Sequence, residues 1–164
     1  MEATGISAGD CAAIASAILA LLAMGFSYKS IKQAKLALQG PTIQWCKGQY
    51  DDLETAKNAP PADVSGKVYF EKLWDLHFSE FYLYKLESIP IEIYALWLLG
   101  RWTEYDKNLP VKGVDHVQGW EDARKRICDK SFEDFIWGLL RLPPKPRPTR
   151  DIVQAYIKDN FPKG

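Results

Sequence analysis

The feature that most constrains this chain is an uncharged run near its beginning, CAAIASAILALLAMGFSY, at residues 11–28. As an α-helix it is roughly 27 Å long, close to the roughly 30 Å of a bilayer's hydrocarbon core. The run therefore predicts a transmembrane helix. A buried core helix in a soluble bundle is the alternative. A cleaved export signal is disfavoured, because residues 1–10 hold Glu2 and Asp10 and no basic residue.

Basic residues flank the run on one side only. Lys29, Lys32 and Lys35 follow it, and no Lys or Arg precedes it. The positive-inside tendency predicts that residues 1–10 form a short extracytoplasmic tail and that the chain after the span lies in the cytoplasm. We therefore expect a single-pass protein of the inner membrane. The lipid bilayer is its expected partner, with these three lysines at the membrane surface.

Small residues recur at helical spacing inside the run. Ala12, Ser16 and Ala20 are separated by four residues each and share one face of a helix. Small residues at this spacing let two helix backbones approach closely in lipid. The pattern predicts a homo-oligomer that packs through this face.

The rest of the chain carries helix signals and no strand alternation. Apolar residues recur every three or four positions, most strongly in the segment 67–87, and Gly40-Pro41 predicts a break between two helices. We expect an all-α fold. Residues 11–39 form the transmembrane helix and its basic juxtamembrane extension, and residues 42–164 form a compact cytoplasmic helical domain. Within it, Ser131 and Thr149 are expected to cap helices, and PPKPRP at 143–148 is expected to be a stiff spacer.

Composition excludes several classes of function. Lys and Arg total 21, as do Asp and Glu, so the chain carries no strong field that would attract nucleic acid. The three cysteines are far apart and form no CxxC motif, which argues against a structural zinc site. Phosphate-binding and nucleophile motifs do not occur either. No cofactor, metal or catalytic residue is predicted, and a non-enzymatic role is favoured.

A few polar residues are candidates for a pocket or an interface. His77 and Glu80 stand three apart on one predicted helix face, the spacing of paired metal ligands in helical bundles, but the further ligands that such a site needs do not occur. A hydrogen-bonded packing histidine is the simpler interpretation. With Glu92, these two residues are the pocket candidates if the protein is a soluble bundle. Arg101 and Trp102 are candidates for an interface, with Trp102 as an exposed anchor.

The order of these parts carries a resemblance. After the apolar run come FEKLWDLHFSEFYLYKLESIPIEIYALWL and, beyond a loop, GWEDARKRICDKSFEDFI. This layout resembles small bacterial single-span membrane proteins with a cytoplasmic helical domain, of the kind found near phage-defence and CRISPR accessory genes. The resemblance implies a role in antiviral defence. The Arg…His pair of the CRISPR accessory proteins is absent, so no catalytic residue is carried over.

Together these observations predict a membrane-anchored, self-associating interaction protein, acting as a scaffold or as a membrane-perturbing, pore-type effector. Two alternatives stay open. One is a soluble helical bundle that binds a ligand or acts as an enzyme, with residues 11–28 as a buried core helix. The other is an adapter that presents the proline-rich segment 143–148 to a partner.

Overall fold

A computed structural model describes residues 8–60 and 62–161 of the chain. Within these residues all regular secondary structure is α-helical. The only β-type pairing there is an isolated bridge between Val111 and Val114. The prediction of an all-α fold is confirmed. The six described helices are α1 (Ala8–Asn58), α2 (Gly66–Lys85), α3 (Ile91–Lys107), α4 (His116–Arg124), α5 (Lys130–Leu140) and α6 (Arg150–Asn160).

The predicted break at Gly40-Pro41 is wrong, because α1 continues through both residues to Asn58. Proline removes one backbone hydrogen bond from a helix interior, and its ring clashes with the Cβ of the residue before it. Gly40, the residue before Pro41, has no Cβ, so the clash with the proline ring does not arise. Gly40 also lacks the left-handed backbone that ends many helices, since the described residues with positive φ are Glu87, Asn108, Lys112 and Gly113.

The predicted membrane span is not supported. In the described part of the chain, no helix combines the length and the apolar composition that crossing a bilayer requires. The side chains of α1 are described from Leu19 onward, apart from Leu22, and only residues 19–28 precede Lys29, whereas a span needs about 20 apolar residues. The predictions of a transmembrane helix and of a single-pass inner-membrane location are corrected by this finding.

The chain divides into two compact units, residues 1–38 and residues 39–164. The first unit, in its described part from Ala8, is the N-terminal portion of α1. Its described side chains from Leu19 to Leu38 are all exposed. The alternative interpretation, a buried core helix at residues 11–28, is therefore wrong for residues 19–21 and 23–28. Residues 11–18 and the side chain of Leu22 lie outside the description.

The second unit is built around α3, which packs against α2, α4, α5 and α6, while α2 also packs against α4. The apolar face predicted for α2 is buried at Phe70, Leu73, Trp74 and Phe81. Aromatic rings dominate this core because their large areas remove much apolar surface from water. Phe81, for example, contacts rings from α5 and from the chain after α6.

Side-chain caps fix where the later helices begin. Asp115 accepts from the backbone N–H of Gln118 at the start of α4, and Thr149 accepts from that of Ile152 at the start of α6, as predicted. Ser131 does not cap α5. Asp129 does, accepting from the N–H groups of Ser131 and Phe132. Hydrogen bonds from the hydroxyls of Ser131 and Tyr82 lower the pKa of Asp129 to about 2.

The proline-rich stretch between α5 and α6 has no regular secondary structure, and residues 143–147 are exposed. Trp102 Nε1 donates to the carbonyl oxygen of Leu142 at 3.2 Å. The Arg147 guanidinium donates to the Thr103 hydroxyl, also at 3.2 Å. Pro148 is buried. Both ends of the stretch are therefore held against α3.

Candidate functional site

His77 and Glu80 form a buried polar pair on α2. The i,i+3 spacing places them on one helix face, and His77 Nδ1 lies 2.7 Å from Glu80 Oε2. Their side chains are 1% and 0% exposed. A charged carboxylate is costly to bury without a hydrogen-bond partner, so each side chain stabilises the burial of the other. The face shared by these two residues was predicted from sequence, and the contact agrees with a hydrogen-bonded packing histidine.

Tyr50 brings α1 to this pair. Its hydroxyl donates to Glu80 Oε2 at 3.3 Å, and its ring lies 6.1 Å from the His77 ring and 6.0 Å from the Trp97 ring. Burial, with a smaller contribution from the negative charge of Glu80, raises the pKa of Tyr50, so the hydroxyl keeps its proton and acts as a donor. Glu80 thus accepts from both α1 and α2. The sequence showed Tyr50 only as one apolar position of a helix, and spacing does not identify a partner on another helix.

The histidine of the pair is held neutral. Desolvation lowers the pKa of His77, and the nearby Glu80 opposes this shift only in part. The other ring nitrogen, Nε2, has no protein partner, and neither has Glu80 Oε1. The hydroxyl of Tyr94 on α3 is likewise buried without a protein partner, and burial raises its pKa well above the usual value. The cluster is an internal polar network in which several buried polar atoms make no hydrogen bond to the protein. It is closed to solvent at His77 and Glu80.

Arg101 and Glu104 lie at the edge of this network on α3. They form an ion pair one helical turn apart, and the Arg101 guanidinium lies 5.5 Å from the centroid of the Tyr50 ring. The geometry is that of a cation–π contact, which strengthens as the groups are desolvated. The structure therefore brings Arg101 together with His77 and Glu80, as neighbours of one tyrosine.

Two other predicted site residues are placed elsewhere. Glu92 is exposed in the first turn of α3 and is not part of the network. Trp102 is 2% exposed, so the expectation that it forms an exposed anchor is wrong. The exposed tryptophan is Trp45, at 49%. Trp102 can be buried because its indole N–H donates to a backbone carbonyl of the protein, which satisfies the polar end of the ring.

The residues that could ligate metal are scattered. Across residues 8–60 and 62–161, no group of three or more His, Cys, Asp or Glu side chains is arranged to hold a metal ion. His77 and Glu80 form a pair, one short of such a group. Cys46 is also buried, and burial together with the charge of Glu80 raises the pKa of its thiol to about 12. The thiolate that binds metals is therefore disfavoured at this position.

A surface groove runs between α1 and α2 in the second unit. Its deeper part has a volume of about 290 Å³ and is lined by Trp45, Gln49, Asp52, Leu53, Lys72, Asp75, Leu76 and Ser79. A second, more open and mostly apolar hollow shares Trp45 and Ser79 with it. Neither is lined by His77 or Glu80. The predicted pocket residues therefore lie in the interior, and the accessible hollows are formed by other side chains.

The first unit presents a different kind of surface. Lys29, Lys32 and Lys35 are exposed on α1, as is Ala20, whereas the side chains of Ala12 and Ser16 lie outside the described residues. Large apolar side chains that are 57–72% exposed accompany the lysines: Leu19, Leu21, Met24, Phe26, Tyr28, Ile31, Leu36 and Leu38. Single exposed apolar residues are common, but a continuous series of them marks an interaction surface.

No family model, no curated protein and no solved structure matches this chain. The resemblance to small proteins near phage-defence genes therefore stays a prediction. Its layout included a membrane span, and that part is corrected above.

Proposed function

We propose that this protein is a self-associating interaction protein and that the N-terminal portion of α1 is its association surface. The observation that supports this most directly is the series of large apolar side chains left exposed between Leu19 and Leu38. A helix that exposes a long series of large apolar side chains gains stability in water when another surface covers part of them.

The second unit supports the division of roles. It has its own core, with 24 buried apolar residues recorded in the described chain, all from Cys46 onward. None of the apolar side chains described in residues 19–38 is among these buried residues. Those side chains are left for intermolecular contact, and the domain is the part that association would bring together in several copies.

Burial of these side chains would supply enough driving force. Each large aliphatic or aromatic side chain contributes about 1.5–3 kcal/mol when fully buried. Eight such residues are more than half exposed here. Specific interfaces bury about 800 Å² on each partner, and an interface of that size requires a series of large side chains rather than a single one.

Sedimentation equilibrium on the full chain over a range of concentrations tests this proposal. We expect a mass that rises with concentration above the 18.6 kDa of one chain. Because apolar burial drives the association, the rise should persist at high salt, where contacts made by the lysines alone would weaken. A mass of 18.6 kDa at every concentration would contradict the proposal.

A further inference from the structure

The exposed apolar residues of α1 include a heptad repeat. Leu21, Tyr28 and Lys35 are seven residues apart, and Met24, Ile31 and Leu38 form a second series of the same period, three residues after the first. These are the a and d positions of a coiled coil, which bring one stripe of a helix against a partner helix. All six side chains are exposed.

We propose that this stripe, the a/d seam, pairs with the same seam of a second copy of the chain to form a two-stranded coiled coil. The inference rests on the proposed function and specifies its contact surface. The occupant is a second copy because a seam of this period fits another helix of the same period. Pairing of like with like also closes the assembly, since both partners use the same patch.

Lys35 at an a position indicates two strands rather than three or more. A lysine at one a position lowers stability but restricts the number of helices, because its ammonium group must reach solvent along the edge of the seam. In a two-stranded coiled coil the a position lies near that edge. In assemblies of higher order it is enclosed. Lys35 already makes an interaction within its own chain, and its role here is to limit the assembly.

The length of the seam is adequate. The residues from Leu21 to Leu38 span just over two and a half heptads in roughly 27 Å of helix. In the sequence, the same spacing extends back to Ala17 and Ile14. Repeats sustained over about three to four heptads are the usual mark of a coiled coil.

The chain supplies a matched control. Leu19, Phe26 and Leu36 are also large, apolar and well exposed, but they occupy the f, f and b positions, which face away from the seam. The triple variant Leu21→Ser, Ile31→Ser, Leu38→Ser removes seam residues. The triple variant Leu19→Ser, Phe26→Ser, Leu36→Ser removes a similar apolar area from the opposite side.

Sedimentation equilibrium compares the two variants with the unmodified full chain. We expect a dimer for the unmodified chain, a dimer dissociation constant raised at least about tenfold in the seam variant, and a change below about threefold in the control. Equal weakening in both variants, or none in the seam variant, would overturn the seam while leaving self-association in place. A monomeric unmodified chain would overturn the proposed function itself.

A third variant tests the role of Lys35. Lys35→Leu should tighten association by about tenfold or more, or shift the assembly beyond two chains, because it removes the one polar a residue. Unchanged mass and affinity would contradict the assignment of Lys35 to the a position. Two measurements on the full chain show whether each variant keeps the native fold. Far-UV circular dichroism reports the helix content, and tryptophan fluorescence monitors the urea unfolding of the second unit.

Discussion

The ring of Phe70 lies directly over the backbone of Gly119. A Cβ added at Gly119 would come within 2.3 Å of Phe70 Cγ, far inside van der Waals contact. The two residues join α2 to α4, and both are buried. The close approach of these helices therefore depends on the absence of a side chain at one position.

Gly119→Ala should destabilise the protein by about 1–3 kcal/mol, because the added methyl group forces the ring or the helix to move. Urea unfolding followed by tryptophan fluorescence measures this. Gly48→Ala is the control, since Gly48 is helical and exposed, with nothing within 4 Å of its added Cβ. There alanine should be neutral or stabilise by up to about 1 kcal/mol. Equal effects of the two substitutions would show that the Phe70 contact is unimportant.

Tyr50→Phe tests the link between α1 and the buried pair. Removing the hydroxyl takes one donor from Glu80 and leaves a buried carboxylate less satisfied, which should lower the free energy of unfolding by about 1–3 kcal/mol. Tyr105→Phe is the control, because Tyr105 is partly exposed and its hydroxyl makes no hydrogen bond within the described residues, so its substitution should change stability by less than about 0.5 kcal/mol. A Tyr50→Phe protein as stable as the unmodified chain would show that the hydrogen bond contributes nothing.

The stability of the protein should fall as the pH drops below about 6.5. Burial lowers the pKa of His77 in the folded state, against the opposing effect of Glu80, and the pKa of His116 is lowered in the same direction. Below the ordinary histidine pKa the unfolded chain takes up protons that the folded chain does not, so acid favours unfolding. Arg101 adds to the lowering at His77, and Glu104 opposes it.

Urea unfolding at pH 7.5, 6.5 and 5.5 (chosen to bracket the ordinary histidine pKa) measures this dependence. A His77→Gln variant should be less stable at neutral pH and should show a shallower loss of stability toward pH 5.5, because one of the two contributing groups is gone. An identical slope in the variant would assign the pH dependence to other groups.

The cysteines should differ sharply in reactivity. Cys128 is exposed, whereas Cys46 is buried and its pKa is raised to about 12 by burial and by the charge of Glu80. In a Cys11→Ser background, a thiol reagent should modify one cysteine of the native protein and a second only after denaturant is added. Cys128→Ser in the same background should abolish the native reaction. Rapid native labelling of Cys46 would contradict its burial.

The sequence predicted the helical class and the apolar face of α2 because both follow from a period of 3.6 residues, which side-chain chemistry carries directly. It failed at Gly40-Pro41. There, two residues that commonly end a helix stand next to each other, and the glycine relieves one steric conflict that the proline creates, the clash with the Cβ of the preceding residue. Composition rules treat the two signals as additive, whereas their geometry partly cancels.

The candidate site was predictable on one helix and unpredictable between helices. The spacing of His77 and Glu80 placed them together, but nothing local to Tyr50 identified Glu80 as its acceptor. The a/d seam overlaps the hydrophobic run at residues 11–28, in which most positions are apolar or small. Leu19, Phe26 and Leu36 make other faces of the helix apolar as well, and Lys35 interrupts the seam, so the seven-residue period is masked in the sequence by apolar residues at other positions.

The proline-rich stretch after α5 is fastened at two points. Leu142 is held by Trp102, and Arg147 is held by Thr103, the next residue of α3. The prolines between them therefore form a short loop that is anchored at both ends to neighbouring residues of α3. A partner that binds this loop finds it preorganised, so little conformational entropy is lost on binding. Loss of either anchoring hydrogen bond would make the loop more flexible without changing any proline.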